Sequence, residues 1–280
     1  QVRAPEVFNL VFRHCGIDAV LVPARVPPQQ LAGFIRAAFQ AGNVQGMFLA
    51  IPHKAPAMEV LDESSVLAQA AGAVNAIRRD AQGRLIGGMF DGQGFISALR
   101  HFNIEPGGRH VLVLGAGGGA CAIAASLAAE KAASVSLFDP VPGKAREVAA
   151  RIAAHFPACL LQAAVTADPM GCDLVVNASP LGLHAGDALP CNVALIDAGA
   201  SVIDILMKNQ PTPFVRAARE RGLVAQPGFE MLIQQTPHYL DFFGHAQAAQ
   251  AVRGDARFIR ELIYPAELAG EIGGERAEAV

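Results

Sequence analysis

Short apolar runs, each bounded by proline or glycine, organise the first 90 residues of the chain. The runs predict four strands, at 18–23, 46–51, 73–78 and 84–89. The last two strands flank a polar turn that ends in Gly83, and this spacing predicts a β-hairpin. Between the strands, apolar residues at helical spacing predict helices over 28–41 and 59–71, each closed by a glycine. Strands that alternate with helices indicate a sheet covered by helices.

The pattern changes after about residue 92, where strands and helices follow one another more regularly. A helix over 94–102 connects the two regions, and helices are also predicted over 213–222 and 230–243. Further strands are predicted at 110–114, 134–138, 172–177, 194–197 and 201–205. This βαβ pattern is typical of a doubly wound parallel sheet. We therefore predict an α/β protein of two domains, an N-terminal α/β substrate domain and a Rossmann-type nucleotide-binding domain.

A glycine-rich turn lies between the first strand and the first helix of the second region. Residues 115–120 fit the pattern G-x-G-x-x-[GA], with Gly115 for the tight turn and Gly117 for close approach of a pyrophosphate. Ala120 allows the helix to pack closely on the strand. Gly118 opens the helix, whose free N–H groups and positive dipole end favour phosphates. The turn predicts dinucleotide binding, the alternative being a merely structural turn.

Composition and charge argue against several classes of protein. Of the 280 residues, 52% are hydrophobic and 17% charged, so the chain can bury a large core and is not disordered. The net charge of −3 shows no basic footprint for nucleic acid. The uncharged stretch 111–129 is interrupted by the glycine turn, so we predict no membrane span. Five scattered cysteines predict free thiols in a reducing cytoplasm and no metal site.

An aspartate follows the second strand of the predicted nucleotide-binding unit. Asp139 lies 24 residues after Gly115, close to the spacing of about 20 at which a carboxylate binds the adenosine ribose hydroxyls. A carboxylate there repels a 2′-phosphate, so Asp139 favours NAD as the cofactor and makes NADP less favourable. The alternative is that Asp139 caps the helix or turn that follows it.

Three polar residues of the first region stand at turns or strand ends. Lys54 follows Pro52-His53, Asn75 follows Gly72-Ala73-Val74, and Asp91 opens Asp91-Gly92-x-Gly94-Phe95. Together with the glycine turn, Asn177–Gly182 and Gly228–Gln235, these motifs resemble the shikimate dehydrogenase family in order along nearly the whole chain.

The resemblance implies an enzyme that transfers a hydride reversibly between a nicotinamide cofactor and a ring hydroxyl of shikimate or quinate. It implies Lys54 as the catalytic lysine and Asp91 as its carboxylate partner, which agrees with the need for a proton acceptor when an alcohol is oxidised. It also implies substrate contacts from Asn75 and Gln235. Asn177 and Gly228 are expected on the cofactor side.

Departures from the family pattern cluster where relatives bind the substrate. Five positions that carry polar ligands in the family are apolar here: Ala4, Phe8, Ala50, Phe90 and Met207. Arg3 could replace a lost carboxylate ligand, because a guanidinium binds carboxylates bidentately; otherwise we expect a less polar substrate than shikimate. On the cofactor side Pro140 stands where NADP-using members carry arginine, which also favours NAD, while Lys144 and Arg146 are interpreted as a solvated helix face.

We therefore expect an NAD-dependent dehydrogenase acting on shikimate, quinate or a related cyclic hydroxy compound. The alternative is an NAD-binding sensor that has lost turnover, and a weaker one is a methylene-tetrahydrofolate dehydrogenase-like enzyme. Residues 1–92, with 229–280 returning to them, are expected to form the substrate domain, and 93–228 the nucleotide-binding domain. A monomer or homodimer is expected. In the family a strand precedes the Pro5 region, so an N-terminal segment is expected to be missing, and 270–280 to fray.

Overall fold

The computed structural model describes residues 3–272, which form two β-sheets with helices around them. The first sheet has four strands in the order β1-β3-β4-β2, with β3 antiparallel to both of its neighbours. Its strands are β1 Gly46–Phe48, β2 Glu63–Ser64, β3 Ala76–Arg79 and β4 Leu85–Gly88. The helices of this region are α1 Ala4–His14, α2 Leu31–Ala38 and α3 Val66–Ala71. The predicted hairpin is confirmed, because β3 and β4 pair across a turn that the Asp80 carboxylate stabilises.

The second sheet has six parallel strands in the order β10-β9-β8-β5-β6-β7. Its strands are β5 His110–Leu114, β6 Ser134–Phe138, β7 Leu160–Ala163, β8 Leu174–Asn177, β9 Ser201–Asp204 and β10 Val224–Pro227. The helices are α4 Asp91–His101, α5 Gly118–Ala129, α6 Lys144–His155 and α7 Pro213–Glu220. After β5 the chain forms β6 and β7 on one side of that strand, and β8, β9 and β10 on its other side. Because the strand order reverses between β5 and β8, a ligand crevice is expected between the carboxyl ends of these two strands.

Three C-terminal helices pack back onto the first region. They are α8 Phe229–Phe242, α9 Ala246–Gly254 and α10 Arg257–Ile263. Their apolar residues share one buried cluster with α1 and with Ala76 of β3, and the cluster includes Phe8, Ile233 and Ile259. This packing places the chain after residue 229 beside the residues that begin the chain.

The predicted strand at 18–23 is wrong. The Asn9 side chain of α1 bonds both backbone polar groups of Leu21 in this segment. It accepts from the Leu21 N–H (2.7 Å) and donates to the Leu21 carbonyl (3.0 Å). A cavity of about 1560 Å³ is lined by this segment and by β1, and Val20 and Val22 remain about 70% exposed. The segment therefore pairs with no strand of the part of the chain that the structure describes.

Two other predicted elements differ because polar side chains divide the apolar runs. The expected helix over 59–71 is split, because Asp62 accepts from the Leu85 N–H and Ser65 caps α3 at Ala68. The expected strand at 194–197 is a 3-10 helix, Val193–Leu195, whose first turn Asn192 caps.

The sequence pattern does not predict strands β7 and β10. The expected fraying at 270–280 lies almost wholly outside the described residues. Within 3–272, no helix has the length and apolar character needed to cross a membrane.

Candidate active site

Lys54 and Asp91 meet at the edge of the first sheet. Lys54 lies in the loop after β1, and its carbonyl accepts from the Val74 N–H at 2.9 Å, which fixes the loop to the segment that leads into β3. Asp91 is the first residue of α4, where the helix dipole favours a carboxylate. Lys54 Nζ lies 2.5 Å from Asp91 Oδ2, and the two side chains are 19% and 10% exposed. The structure therefore brings these two predicted residues into a partly buried ion pair.

Asn75 holds the carboxylate of this pair from the other side. Its Nδ2 donates to Asp91 Oδ1 at 2.8 Å, and its Oδ1 accepts from the Phe90 N–H at 3.0 Å. The side chain is fully buried. Both polar groups of Asn75 thus bond within the protein, which makes Asn75 a positioning residue for Asp91 in this structure.

Two glycines let α4 fit between α5 and α8. A Cβ on Gly92 would lie 2.1 Å from the Ala122 carbonyl oxygen of α5, and a Cβ on Gly94 would lie 2.5 Å from Gln235 Cβ of α8. Gln235 is therefore held directly against the helix that begins with Asp91. Its Oε1 is buried and has no hydrogen-bond partner, so it can accept a hydrogen bond from a bound molecule.

Arg3 forms hydrogen bonds with other groups of the protein. Its Nη1 and Nη2 donate to the carbonyls of Ile263 and Leu262 at the end of α10, both at 3.1 Å. Its Nε donates to Glu6 at 3.0 Å. Because all three groups are engaged within the protein, the structure gives no support to Arg3 as a ligand for a substrate carboxylate.

The glycine turn has the geometry of a phosphate site. Gly115 adopts φ +112°, and a Cβ there would lie 2.7 Å from the Ala178 carbonyl oxygen, so only glycine fits. A Cβ on Gly117 or Gly118 would meet no atom within 4 Å. The space in front of the α5 N-terminus is thus open, with free N–H groups facing it, while Ala120 is fully buried behind it. These residues fit the pyrophosphate of a dinucleotide.

Asp139 already uses both of its carboxylate oxygens. Oδ2 accepts from the Ala116 N–H (2.8 Å) and from Lys144 Nζ (3.0 Å), and Oδ1 accepts from the Val141 N–H (3.0 Å). Burial opposes ionisation, but the Lys144 and backbone hydrogen bonds outweigh it and hold the pKa of Asp139 below its ordinary value. Asp139 therefore anchors the glycine turn and places the Lys144 ammonium beside it.

The other two residues expected on the cofactor side have structural partners. Asn177 ends β8, donates to the Leu181 carbonyl at 3.0 Å and accepts from Ser179, so it shapes the loop that follows. Gly228 permits close backbone contact, since a Cβ there would lie 2.5 Å from Ile205 Cα. Asn177 lies at the carboxyl end of β8, beside the predicted crevice, whereas Gly228 follows the edge strand β10.

Sequence reasoning missed Tyr239, one turn after Gln235 on α8. It is 6% exposed and packs against Phe48, with ring centroids 4.5 Å apart. Burial, and to a lesser degree the Asp91 charge, raise the pKa of Tyr239 well above its usual range. The spacing of four residues on a predicted helix was the available signal. Among the described residues, no group of three or more metal-ligating side chains lies together.

Known proteins resemble the chain over most of its length. The family model of the shikimate dehydrogenase substrate binding domain matches residues 1–77. A shikimate dehydrogenase (NADP(+)) from Rubrobacter xylanophilus is 36% identical, over 83% of this chain and 82% of its own. Ligand-free 5-ketofructose reductase of Gluconobacter sp. strain CHM43 is 28% identical, with a TM-score of 0.79 over 90% and 93% of the two chains. Shikimate 5-dehydrogenase from Thermus thermophilus, in complex with NADP(H) and shikimate, is 27% identical, with a TM-score of 0.75 over 89% and 94%.

The prediction of NAD as the cofactor is wrong. Several similar shikimate dehydrogenases are named NADP(+) enzymes, and the Thermus structure contains NADP(H). The structure explains the error, because the prediction assumed that a free Asp139 carboxylate repels a 2′-phosphate. Lys144 pairs with that carboxylate at 3.0 Å, which removes the assumed repulsion.

Proposed function

Because the chain belongs to the shikimate dehydrogenase family, we propose that it transfers a hydride reversibly between NADP and a secondary hydroxyl of shikimate or a related cyclic hydroxy compound. The Lys54–Asp91 ion pair, held by Asn75, carries this proposal. The similarity to a protein named 5-ketofructose reductase supports a substrate range wider than shikimate alone. Retention of a buried lysine–carboxylate pair favours turnover over the alternative of a sensor that only binds the cofactor.

The proposed chemistry assigns one role to each residue of the pair. When bound, the nicotinamide supplies or accepts the hydride. In the direction of reduction, Lys54 Nζ donates a proton to the carbonyl oxygen of the substrate; in oxidation it takes the hydroxyl proton back. Asp91 fixes the lysine at 2.5 Å and stabilises its charge, and Asn75 prevents the carboxylate from rotating.

The glycine turn and Lys144 are proposed to hold NADP. Gly115, Gly117, Gly118 and Ala120 form the pyrophosphate site at the α5 N-terminus. Lys144 is 41% exposed at the start of α6, so its ammonium can contact a 2′-phosphate while it remains paired with Asp139. Arg146, which is exposed on the same turn, adds positive charge.

The domain division stays a proposal, with 1–92 and 229–280 forming the substrate domain and 93–228 the nucleotide-binding domain. The packing of α8 and α10 against α1 supports it. A cytoplasmic location, a monomeric or homodimeric state and the absence of a nucleic-acid partner likewise stay predictions.

The proposal is tested by following NADPH absorbance with shikimate, quinate and related cyclic alcohols. The Lys54→Ala variant should lose about a hundredfold to ten-thousandfold in kcat/KM. Lys131→Asn is the matched control, because Lys131 is exposed and asparagine tolerates its positive φ of 60°. Turnover that survives Lys54→Ala would refute the mechanism, and tight NADPH binding without turnover of any alcohol would favour the sensor.

A further inference from the structure

Four aromatic rings pack together beside Asp91, and we call them the aromatic box: Phe8, Phe48, Phe90 and Tyr239. Phe48 packs on Phe8 and on Tyr239 with ring centroids 4.5 Å apart in both pairs. The Phe90 ring lies 5.0 Å from the Tyr239 ring, and Phe90 directly precedes Asp91 in the chain. Phe8 and Tyr239 are buried, whereas Phe48 and Phe90 are half-buried.

Two polar groups on α8 lie beside this box without partners. Gln235 and Tyr239 are four residues apart and therefore share one face of the helix. Gln235 is 7% exposed, and its Oε1 has no hydrogen-bond partner. Within residues 3–272, no hydrogen bond engages the Tyr239 hydroxyl, although the Asp91 charge acts on it. A buried amide oxygen without a partner is costly unless a bound molecule satisfies it, and the Tyr239 hydroxyl on the same helix face can also bond a ligand.

Two of the cations near the box, Lys54 and Arg3, are engaged by other groups. Lys54 pairs with Asp91, and Arg3 donates to Glu6 and to the end of α10. Arg78 lies three residues along the chain from Asn75, about 10 Å away at strand spacing. Its guanidinium stacks on the Phe242 ring at 5.2 Å, and its Nε is buried without a hydrogen-bond partner. A carboxylate placed among these rings would lose its hydration and would face the Gln235 Oε1, which is itself an acceptor, whereas a hydroxyl or amide N–H can donate to that oxygen.

We propose that the aromatic box, with Gln235 Oε1 and the Tyr239 hydroxyl, forms a subsite for a neutral polyhydroxylated substrate rather than for a carboxylate. This inference rests on the proposed function, because it assumes that the reacting hydroxyl lies at Lys54. Gln235 accepts a hydrogen bond from one substrate hydroxyl, and Tyr239 bonds a second polar group. The rings cover the less polar face of the substrate ring. Tyr239 is thus a specificity-determining residue.

The test compares shikimate with its neutral primary amide, which differ only in the carboxylate. With NADP, kcat/KM for the amide should exceed that for shikimate by about a hundredfold or more. Tyr239→Phe keeps the ring and should lower kcat/KM for the amide about tenfold. The matched control is Tyr264→Phe, because Tyr264 is the other tyrosine of the chain and its hydroxyl donates to Glu230.

The outcomes separate this inference from the proposed function. Equal or better turnover of shikimate, dependent on Lys54, would overturn the neutral subsite and leave the dehydrogenase assignment intact. If neither compound turns over, binding is measured by calorimetry in the presence of NADP. Binding of the amide alone, weakened by Tyr239→Phe, would still support the subsite, whereas binding of neither compound, or of shikimate alone, would overturn it.

Discussion

Replacing Arg260 by methionine should destabilise the fold through a buried carboxylate on α8. The Glu230 side chain is 1% exposed, and Arg260 holds it with Nε–Oε1 and Nη2–Oε2 contacts of 2.6 and 3.0 Å. Tyr264 and Gln234 each add one hydrogen bond at 3.0 Å. These two hydrogen bonds survive in the variant but bring no positive charge. Removing one partner of a buried ion pair typically costs about 3–5 kcal/mol, and we expect a loss of that size at neutral pH.

The loss should depend on pH with a definite sign. Burial alone would raise the pKa of Glu230, but the hydrogen bonds and charge of Arg260 hold it below its ordinary value. A lowered pKa stabilises the wild-type fold above the unfolded pKa, and this stability disappears as the pH falls through the folded pKa. In Arg260→Met the largest contribution that opposes burial is lost, so Glu230 takes up a proton more readily. The difference between the two proteins should therefore shrink in acid.

Urea unfolding at neutral pH and at about pH 5 measures both effects. Arg257→Met is the control, because its pair with Glu261 is more than half exposed and should contribute less than about 1 kcal/mol. The double variant Glu230→Gln/Arg260→Met should recover part of the loss, since it leaves no buried charge. An Arg260→Met protein as stable as the Arg257→Met control at neutral pH would refute the reasoning.

Three further changes test the cofactor turn, the helix packing and a second buried acid. Gly117→Ala should weaken NADPH binding by about tenfold or more in a fluorescence titration without lowering the unfolding midpoint, because its methyl meets no protein atom within 4 Å. Unchanged NADPH affinity would contradict the assigned phosphate site. Gly92→Ala should lower the free energy of unfolding in urea by about 1–3 kcal/mol, because its Cβ would lie 2.1 Å from the Ala122 carbonyl oxygen; wild-type stability would show that α4 and α5 are not in close contact. Burial raises the pKa of Asp204, so the wild type should lose stability as the pH rises through that pKa, and Asp204→Asn should not. Parallel stability–pH curves for the two proteins would exclude this effect.

Local patterns were sufficient for the elements that carry the chemistry. Strand β5, the glycine turn and helix α5 are encoded by contiguous residues, because backbone strain at Gly115 and the helix start are properties of neighbours in the chain. The β3–β4 hairpin follows from its turn. Lys54 and Asp91 were predicted as partners from a resemblance in order and spacing, and the structure places them in contact. The same resemblance predicts an apolar substrate side, and two of its five positions, Phe8 and Phe90, belong to the aromatic box.

What the tertiary structure decided is which partner each polar group takes. Asp139 favours NAD only if Lys144, five residues later, points into solvent. In the structure Lys144 donates to the Asp139 carboxylate instead. Arg3 suggested a carboxylate ligand until α10, some 260 residues away in the chain, was seen to accept its hydrogen bonds. Segment 18–23 has the composition of a strand but no strand beside it. Tyr239 becomes part of the site through rings from three other elements. The spacing of hydrophobic residues and the motifs determine the helices, strands and turns. Which strands pair and which charged groups meet depends on contacts between residues distant in sequence, so only the folded chain decides these.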